Sequence, residues 1–472
     1  MGLMKVSIHF DHPLREWDGF GFNYVETAQT QDYAADPQDY GGFSILSLAD
    51  RQRVLEMVFG EDGLQPGVIK LFHDPWHQAR PDAPGDQALQ VDPARFDHAT
   101  STRWLRYFAR QGLSLSRARG QDLKMITTLY GPPGWMARQR CLRGRDLDPA
   151  YTHACARYMV AWVKYLHEVE GLPVSYYSLH NEGEDYARWR EDGTSEWGGH
   201  DYNLYWPPEQ VVDFLRLSRE ILDANGLQDV AFTPGECSNW LRFYDWGYAD
   251  ALADDPLALQ NMGLITSHGF ANPGKGRWFA DWRSAGIDLL REKRPNLHAW
   301  VTSTSWADMD VFMLNQMRSN IYAAKVNAVI PWAGIQRSSL WVGGDPNPGT
   351  AFRVLEDGSL KVEPGYYFYK QLSRAGQPGM WVARVSSNDS QVAPIAFSGR
   401  DTHHRSNFVL LNLANETKTP EVWISGAGVT KYAVTRTSPG EQYAALGMTP
   451  APDGRVVVEL PPLSATTFFG ED

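Results

Sequence analysis

The sequence has 472 residues, 43% of them hydrophobic, and a formal net charge of −12, room for one large domain plus a small one. That acidity argues against nucleic acid as a partner, and the apolar runs are too short for membrane insertion; Val326-Asn327-Ala328-Val329-Ile330, typical of them, stops at Pro331. Three cysteines (Cys141, Cys155, Cys237) lack zinc-site spacing and cannot all pair, so no disulfide framework is expected.

The first residues, Met1-Gly2-Leu3-Met4-Lys5, carry no apolar leader core, so the expectation is a cytoplasmic protein, or a secreted one whose leader is absent from this sequence. Short apolar, β-branched segments then alternate with amphipathic ones. Strands are expected at 19–25, 67–73, 124–130, 174–180, 230–234, 263–269, 297–302 and 327–332. Helical patterns lie at 101–121, 149–170, 207–224, 281–293, 308–325 and 364–375, with Pro149 and Pro207 placed for first turns. Eight strand–helix units in series favour a closed (β/α)8 barrel over an open sheet. From about Pro378 the runs become short and alternating, broken by Gly, Asn, Asp and Ser. The predicted organisation is a TIM barrel over 16–378 and a β-sandwich-like module over 379–472, with which the alternating segment 5–10 could pair. That module is expected to be a structural appendage rather than a separate sugar-binding unit.

The chain has 18 Trp, 21 Tyr and 20 Phe, and several Trp have loop-like neighbours, as in Pro75-Trp76, Gly134-Trp135 and Trp206-Pro207. Aromatic faces on loops suit sugar rings, which are apolar on one face and hydroxylated at the edge. Chemistry in such a barrel sits at the C-terminal strand ends. In order these ends read Pro132-Pro133-Gly134-Trp135-Met136 after the third strand, His180-Asn181-Glu182 after the fourth, Pro234-Gly235-Glu236 after the fifth, and Ser267-His268-Gly269-Phe270 after the sixth. The seventh reads Trp300-Val301-Thr302-Ser303-Thr304-Ser305-Trp306 and the eighth Pro331-Trp332.

With Tyr366-Tyr367-Phe368-Tyr369-Lys370-Gln371-Leu372 and Pro378-Gly379, these ends resemble the clan A glycoside hydrolases, and within them glycoside hydrolase family 30, over nearly the whole chain. The resemblance implies a retaining O-glycosidase for β-linked sugars. It implies that Glu182 is the general acid/base, that Asn181 bonds the sugar hydroxyl beside the reacting carbon, and that the nucleophilic carboxylate belongs at the position of Ser303. A serine hydroxyl is a poor nucleophile toward an acetal carbon and cannot stabilise an oxocarbenium ion, so hydrolysis should be largely lost in this form. Two explanations stand: an engineered Glu→Ser change, which is preferred, or a natural departure, the protein being either a non-catalytic carbohydrate-binding one or one that uses another carboxylate. A lyase or isomerase on the same barrel has only Lys70 as a base and carries little weight.

Lys70 stands nearest the position of a family Arg, and Phe270 stands where members carry a Tyr hydroxyl. Glu236 would bind substrate or act as a stand-in base, while His268 would line the pocket or be structural. Trp135 and Trp332 are candidate sugar platforms, with barrel core as the alternative for Trp332, and Trp306 joins the candidate binding residues. His73 and His77 are four apart, but Pro75 between them rules out a shared helix face, so sugar contacts are expected rather than metal. No nucleotide-binding glycine loop occurs, and neither cofactor nor metal is expected.

Overall fold

The computed structural model describes residues 4–24, 42–194, 202–271, 282–337, 349–400 and 402–472. Val25 and Asp281, which end an expected strand and begin an expected helix, lie outside the described residues.

After β1 (Lys5–Glu16) come eight parallel strands: β2 (Gly19–Asn23), β3 (Val68–His73), β4 (Lys124–Leu129), β5 (Tyr176–Ser178), β6 (Ala231–Thr233), β7 (Ile265–Ser267), β8 (Ala299–Ser305) and β9 (Ala328–Trp332). Their hydrogen-bonded order is β6-β5-β4-β3-β2-β9-β8-β7. A parallel bridge between Cys237 and Ser267 joins the two ends. Across that seam Ser267 Oγ donates to the Cys237 carbonyl at 3.0 Å, and Thr266 Oγ1 to the Gly235 carbonyl at 2.7 Å. The ring is closed.

Helices α1 (Leu48–Phe59), α2 (Arg103–Ala118), α3 (Thr152–Glu168), α4 (Pro208–Ala224), α5 (Trp240–Asp245), α6 (Tyr248–Asp254), α7 (Pro256–Asn261), α8 (Ala285–Lys293), α9 (Val311–Tyr322) and α10 (Gly365–Ala375) accompany the strands. The stripe buried by α2 (Leu105, Phe108, Ala109, Gly112, Leu113) has the spacing of one helix face. Two regions differ from the sequence expectation. Helix α1 was not anticipated; Ser47 caps it, accepting from the Asp50 amide at 3.0 Å. The unassigned stretch before β7 forms the short helices α5–α7, two of them capped by Asn239 and Asp255.

Val68, Ile126, Leu264, Trp300, Ala328 and Ile330 form a separate buried cluster contributed by the barrel strands and the residue before β7. At the N-terminal rim, buried Asp18 accepts from Lys124 Nζ at 2.6 Å and Trp300 Nε1 at 2.8 Å, and pairs with His298 Nδ1 at 2.6 Å. Burial alone would raise the Asp18 carboxyl, but His298 and Lys124 outweigh it and hold it below its ordinary range. Trp300 therefore braces the closed end of the barrel, while Ser303, three residues on, reaches the opposite rim.

After β9 the chain forms a small sheet, β10 (Ile335–Gln336), β11 (Phe352–Val354) and β12 (Leu360–Val362). The last strands are β13 (Trp381–Ser387), β14 (Val392–Ser398), β15 (Asn407–Asn412), β16 (Glu421–Ser425), β17 (Lys431–Ser438), β18 (Glu441–Pro450), β19 (Arg455–Val457) and β20 (Ser464–Glu471). With β1 they follow the order β18-β17-β20-β15-β14-β13-β1-β16-β19, in which β1 pairs antiparallel with β13 and parallel with β16. Val422 of β16 and Tyr432 of β17, from opposite flanks of that order, share one core with Val6, Phe408 and Phe468, so the sheet curls over on itself. Trp17 and Phe20 at the barrel entrance pack on Phe397 of β14, with ring centroids 5.3 and 5.8 Å apart, which makes one continuous core from barrel to β-module.

Candidate active site

The C-terminal rim gathers Tyr130, Asn181, Glu182, His268, Phe270, Ser303 and Trp332 around one pocket. Glu182 and Ser303 come from the ends of β5 and β8, and their side chains share this cavity. Glu182 adopts φ of 53°, and its amide donates to the Glu236 carbonyl at 2.8 Å. This backbone turn aims the carboxyl inward. One oxygen, Oε2, accepts from Arg188 Nη1 at 2.8 Å, and Oε1 lies 2.7 Å from His268 Nδ1. Phe270 meets the His268 ring edge-on, with centroids 5.5 Å apart.

Beneath the pocket floor lies a buried ion pair. Lys70 Nζ donates to Glu236 Oε2 at 2.8 Å and to Ser303 Oγ at 2.9 Å, and both charged side chains are fully enclosed. Asn23 Nδ2 donates to the same hydroxyl at 3.3 Å, and Thr128 Oγ1 to Glu236 Oε1 at 3.2 Å. Burial alone would raise Glu236, but Lys70 and His268 prevail and hold its carboxyl down at about 2. Burial pushes the Lys70 ammonium below its ordinary value, with Glu236 pulling it back. Burial also works against a charged His268, yet Glu182 and Glu236 win, and the imidazole is raised. The centre is thus a chain of linked side chains, Arg188–Glu182–His268–Glu236–Lys70, that ends on the Ser303 hydroxyl.

The wall between β5 and β6 depends on a close approach. Gly235 has φ of +93°, and a β-carbon there would fall 2.1 Å from His180 Cδ2. Gly235→Ala is expected to cost about 2–4 kcal/mol through backbone strain and displacement of the His180 ring. A urea titration matching that of the parent protein would show that the approach is not constrained.

The sequence-predicted residues fall into three groups. Glu182, Ser303, Asn181, His268 and Trp332 line the pocket itself. Lys70 and Glu236 stand behind it and reach it through Ser303. The remaining three lie elsewhere. Trp135 packs edge-on against Tyr151, and its Nε1 points to the Gln78 carbonyl at 3.4 Å, away from the lining. The sugar-contact expectations for Trp306 and His73 are corrected. Trp306 is fully buried against Tyr369, and His73 is fully buried between Tyr158 and Trp162 with centroids 4.3 and 5.4 Å away. Neither ring can touch a ligand in the pocket. Arg188 and Asn23 were missed; both are single polar residues whose approach to the centre exists only in the folded chain.

Fold and rim together define a closed (β/α)8 barrel with a β-module, carrying a buried carboxylate on the fourth barrel strand opposite a hydroxyl on the seventh. No protein-family profile matches the sequence, and no curated protein does. Solved structures do. The catalytic domain of a GH30 xylanase C from Talaromyces cellulolyticus superposes with a TM-score of 0.73 at 16% identity, covering 99% of this chain and 100% of that one. The family 30 subfamily 8 xylanase Xyn30A from Clostridium acetobutylicum gives 0.70 at 17% identity over 99% and 100%. The endo-β1,6-glucanase BT3312 gives 0.67 at 16% over 99% and 94%. The chain has the fold of these glycoside hydrolases.

Proposed function

We propose that this chain is a glycosidase of the double-displacement type for a β-linked glycoside, in a form whose nucleophilic carboxylate is replaced by Ser303. The observation that carries the reading is that Glu182 and Ser303 line one pocket from the fourth and seventh strand ends of a closed barrel. Glu182 would protonate the leaving oxygen and later activate water, while a carboxylate at 303 would take the anomeric carbon. Trp332 supplies an apolar wall, and Asn181 a polar contact, at the reacting sugar. The hydroxyl of Ser303 cannot carry the covalent step, so hydrolysis is expected to be largely lost. The fold's likeness to two xylanases and an endo-β1,6-glucanase supports a β-linked carbohydrate as ligand.

A second reading, a natural carbohydrate-binding protein, is favoured by one observation. The buried Lys70 ammonium already has a counter-charge, Glu236 Oε2 at 2.8 Å, without a carboxylate at 303. Small anions separate the two readings. With azide or formate and an aryl β-glycoside of good leaving group, a glycosidase lacking its nucleophile regains turnover; a binding protein that still holds the sugar but shows no rescue would establish the second reading. In the Ser303→Glu background, Glu182→Gln is expected to lower turnover by roughly 10²–10⁴ on a poor leaving group and much less on an activated one. An equal loss on both would remove Glu182 from the acid role.

A further inference from the structure

The loop that follows β3 folds back under the rim and brings three histidines together, two of them only four apart in sequence and the third 21 further on. The ring centroids of His73 and His77 are 4.5 Å apart, those of His77 and His98 5.0 Å, and those of His73 and His98 6.4 Å. One ring nitrogen from each lies within 4.8 Å of the other two, and all three residues are buried. Pro75 does keep 74–77 out of a helix, as expected, but a tight loop converges the side chains by another route.

Their hydrogen bonds leave an unusual remainder. His73 Nδ1 meets Tyr177 Oη at 2.8 Å, while His73 Nε2, enclosed, has no hydrogen-bond partner. His77 Nε2 meets Ser101 Oγ at 2.9 Å and lies 3.3 Å from Asp74 Oδ1, while its Nδ1 faces His98 Nδ1 at 2.8 Å. So on two of the three rings one nitrogen is held by an oxygen, and the other either faces a neighbouring histidine (His77) or is left without a partner (His73). That division is the one seen in metal-bound imidazoles, whose outer nitrogen is oriented by a hydroxyl or carboxylate. A buried nitrogen without a partner otherwise costs free energy.

We infer that His73, His77 and His98 form a site for a borderline divalent transition ion, Zn²⁺ foremost, with His73 binding through Nε2 and His77 and His98 through Nδ1. Imidazole nitrogens select such ions over Mg²⁺ and Ca²⁺, which prefer oxygen. Tetrahedral binding at about 2.0–2.1 Å sets nitrogens roughly 3.3 Å apart, so the rings need small shifts from their present spacing. The ion would pin the segment 74–98, whose single regular element is a three-residue turn at Pro93–Arg95, to the end of β3. That segment also carries Trp76, which packs edge-on against Tyr202, and the Tyr202 amide donates to the carbonyl of the pocket residue Tyr130 at 3.1 Å. Its role is therefore structural, holding one wall of the rim, and it stands whether or not the proposed glycosidase reading does.

The full chain, purified without an affinity tag rich in histidine, is stripped with a chelator, dialysed and titrated. One equivalent of Zn²⁺ should bind and raise the melting temperature by several degrees, with no rise from Mg²⁺ or Ca²⁺. Co²⁺ should give the visible bands of a nitrogen-rich tetrahedral ion. His98→Gln should lose both effects, and His12→Ala, at an exposed residue of the cluster of His9, Asp11 and His12, should keep them. Less than a tenth of an equivalent bound, or retention in His98→Gln with loss in His12→Ala, overturns the assignment. If His98→Gln fails to fold, the stoichiometry and Co²⁺ spectrum of the parent chain decide alone.

Discussion

Ser303→Glu is expected to raise turnover of an aryl β-glycoside by at least about 10³-fold, equivalent to roughly 4 kcal/mol of barrier. The gain has a structural basis. Position 303 lies within reach of two donors, Lys70 Nζ at 2.9 Å and Asn23 Nδ2 at 3.3 Å, which would receive a carboxylate as readily as they now receive a hydroxyl. An ammonium beside the new carboxyl would hold it ionised, as a nucleophile requires. Phe270 offers no hydroxyl to orient it, so Lys70 and Asn23 must do so. A screen of nitrophenyl β-glycosides reads the rate, and proton NMR of the first product reads the stereochemistry. Retained configuration accompanies a covalent intermediate, whereas immediate appearance of the opposite anomer would remove the double-displacement reading. A folded Ser303→Glu protein that is inert on the whole panel would remove the glycosidase reading itself.

The second large effect is on stability. Lys70→Met should destabilise the fold by about 3–5 kcal/mol, because it strands the Glu236 carboxylate, fully buried, without its main counter-charge. Thr128 and His268 remain beside it but cannot replace an ammonium at 2.8 Å. Replacing both partners, Lys70→Met with Glu236→Leu, should recover most of the loss, since the expensive species is the lone charge rather than the missing pair. Denaturant titrations of the two single variants and the double variant form the cycle. Additive losses would show that the two groups are not coupled.

The same pair predicts a pH dependence. Glu236 is held at about 2 in the folded chain against an ordinary value of 4.5, so its contribution is complete above about pH 4.5. Between pH 4.5 and 2 the unfolded chain binds a proton that the folded chain refuses, and stability falls as acid is added across that window. Glu236→Gln should flatten that part of the acid limb.

The barrel was legible because its signals are local and repeated. Apolar runs bounded by Gly and Pro marked every barrel strand, although β5, β6 and β7 are three residues each rather than the five to seven expected. Helices α5–α7 and the small sheet β10–β12 were not assigned, since helices of six or seven residues and strands of two or three carry too few turns of periodicity to rise above their surroundings. The pairing of β1 with β13 and β16, centred on an alternating segment at the start of the chain, was anticipated only as a possibility, because alternation says that one face is buried but not against what.

The site divides in the same way. Asn181-Glu182 and Thr302-Ser303 could be placed from sequence because strand ends in a barrel point to one rim, and the motif order fixed which strand each belonged to. What those residues touch could not be placed. The chain of contacts from Arg188 to Lys70, the burial of His73 and Trp306, and the arrival of His98 beside His77 depend on where the folded chain brings residues 6 to 233 positions apart. Residue identity sets what a side chain can donate, accept or ligate, and local periodicity sets which strand end carries it. Which partner it meets, and whether water reaches it, follows from closure of the ring and the path of its loops, where burial makes an isolated charge too costly to leave unpaired.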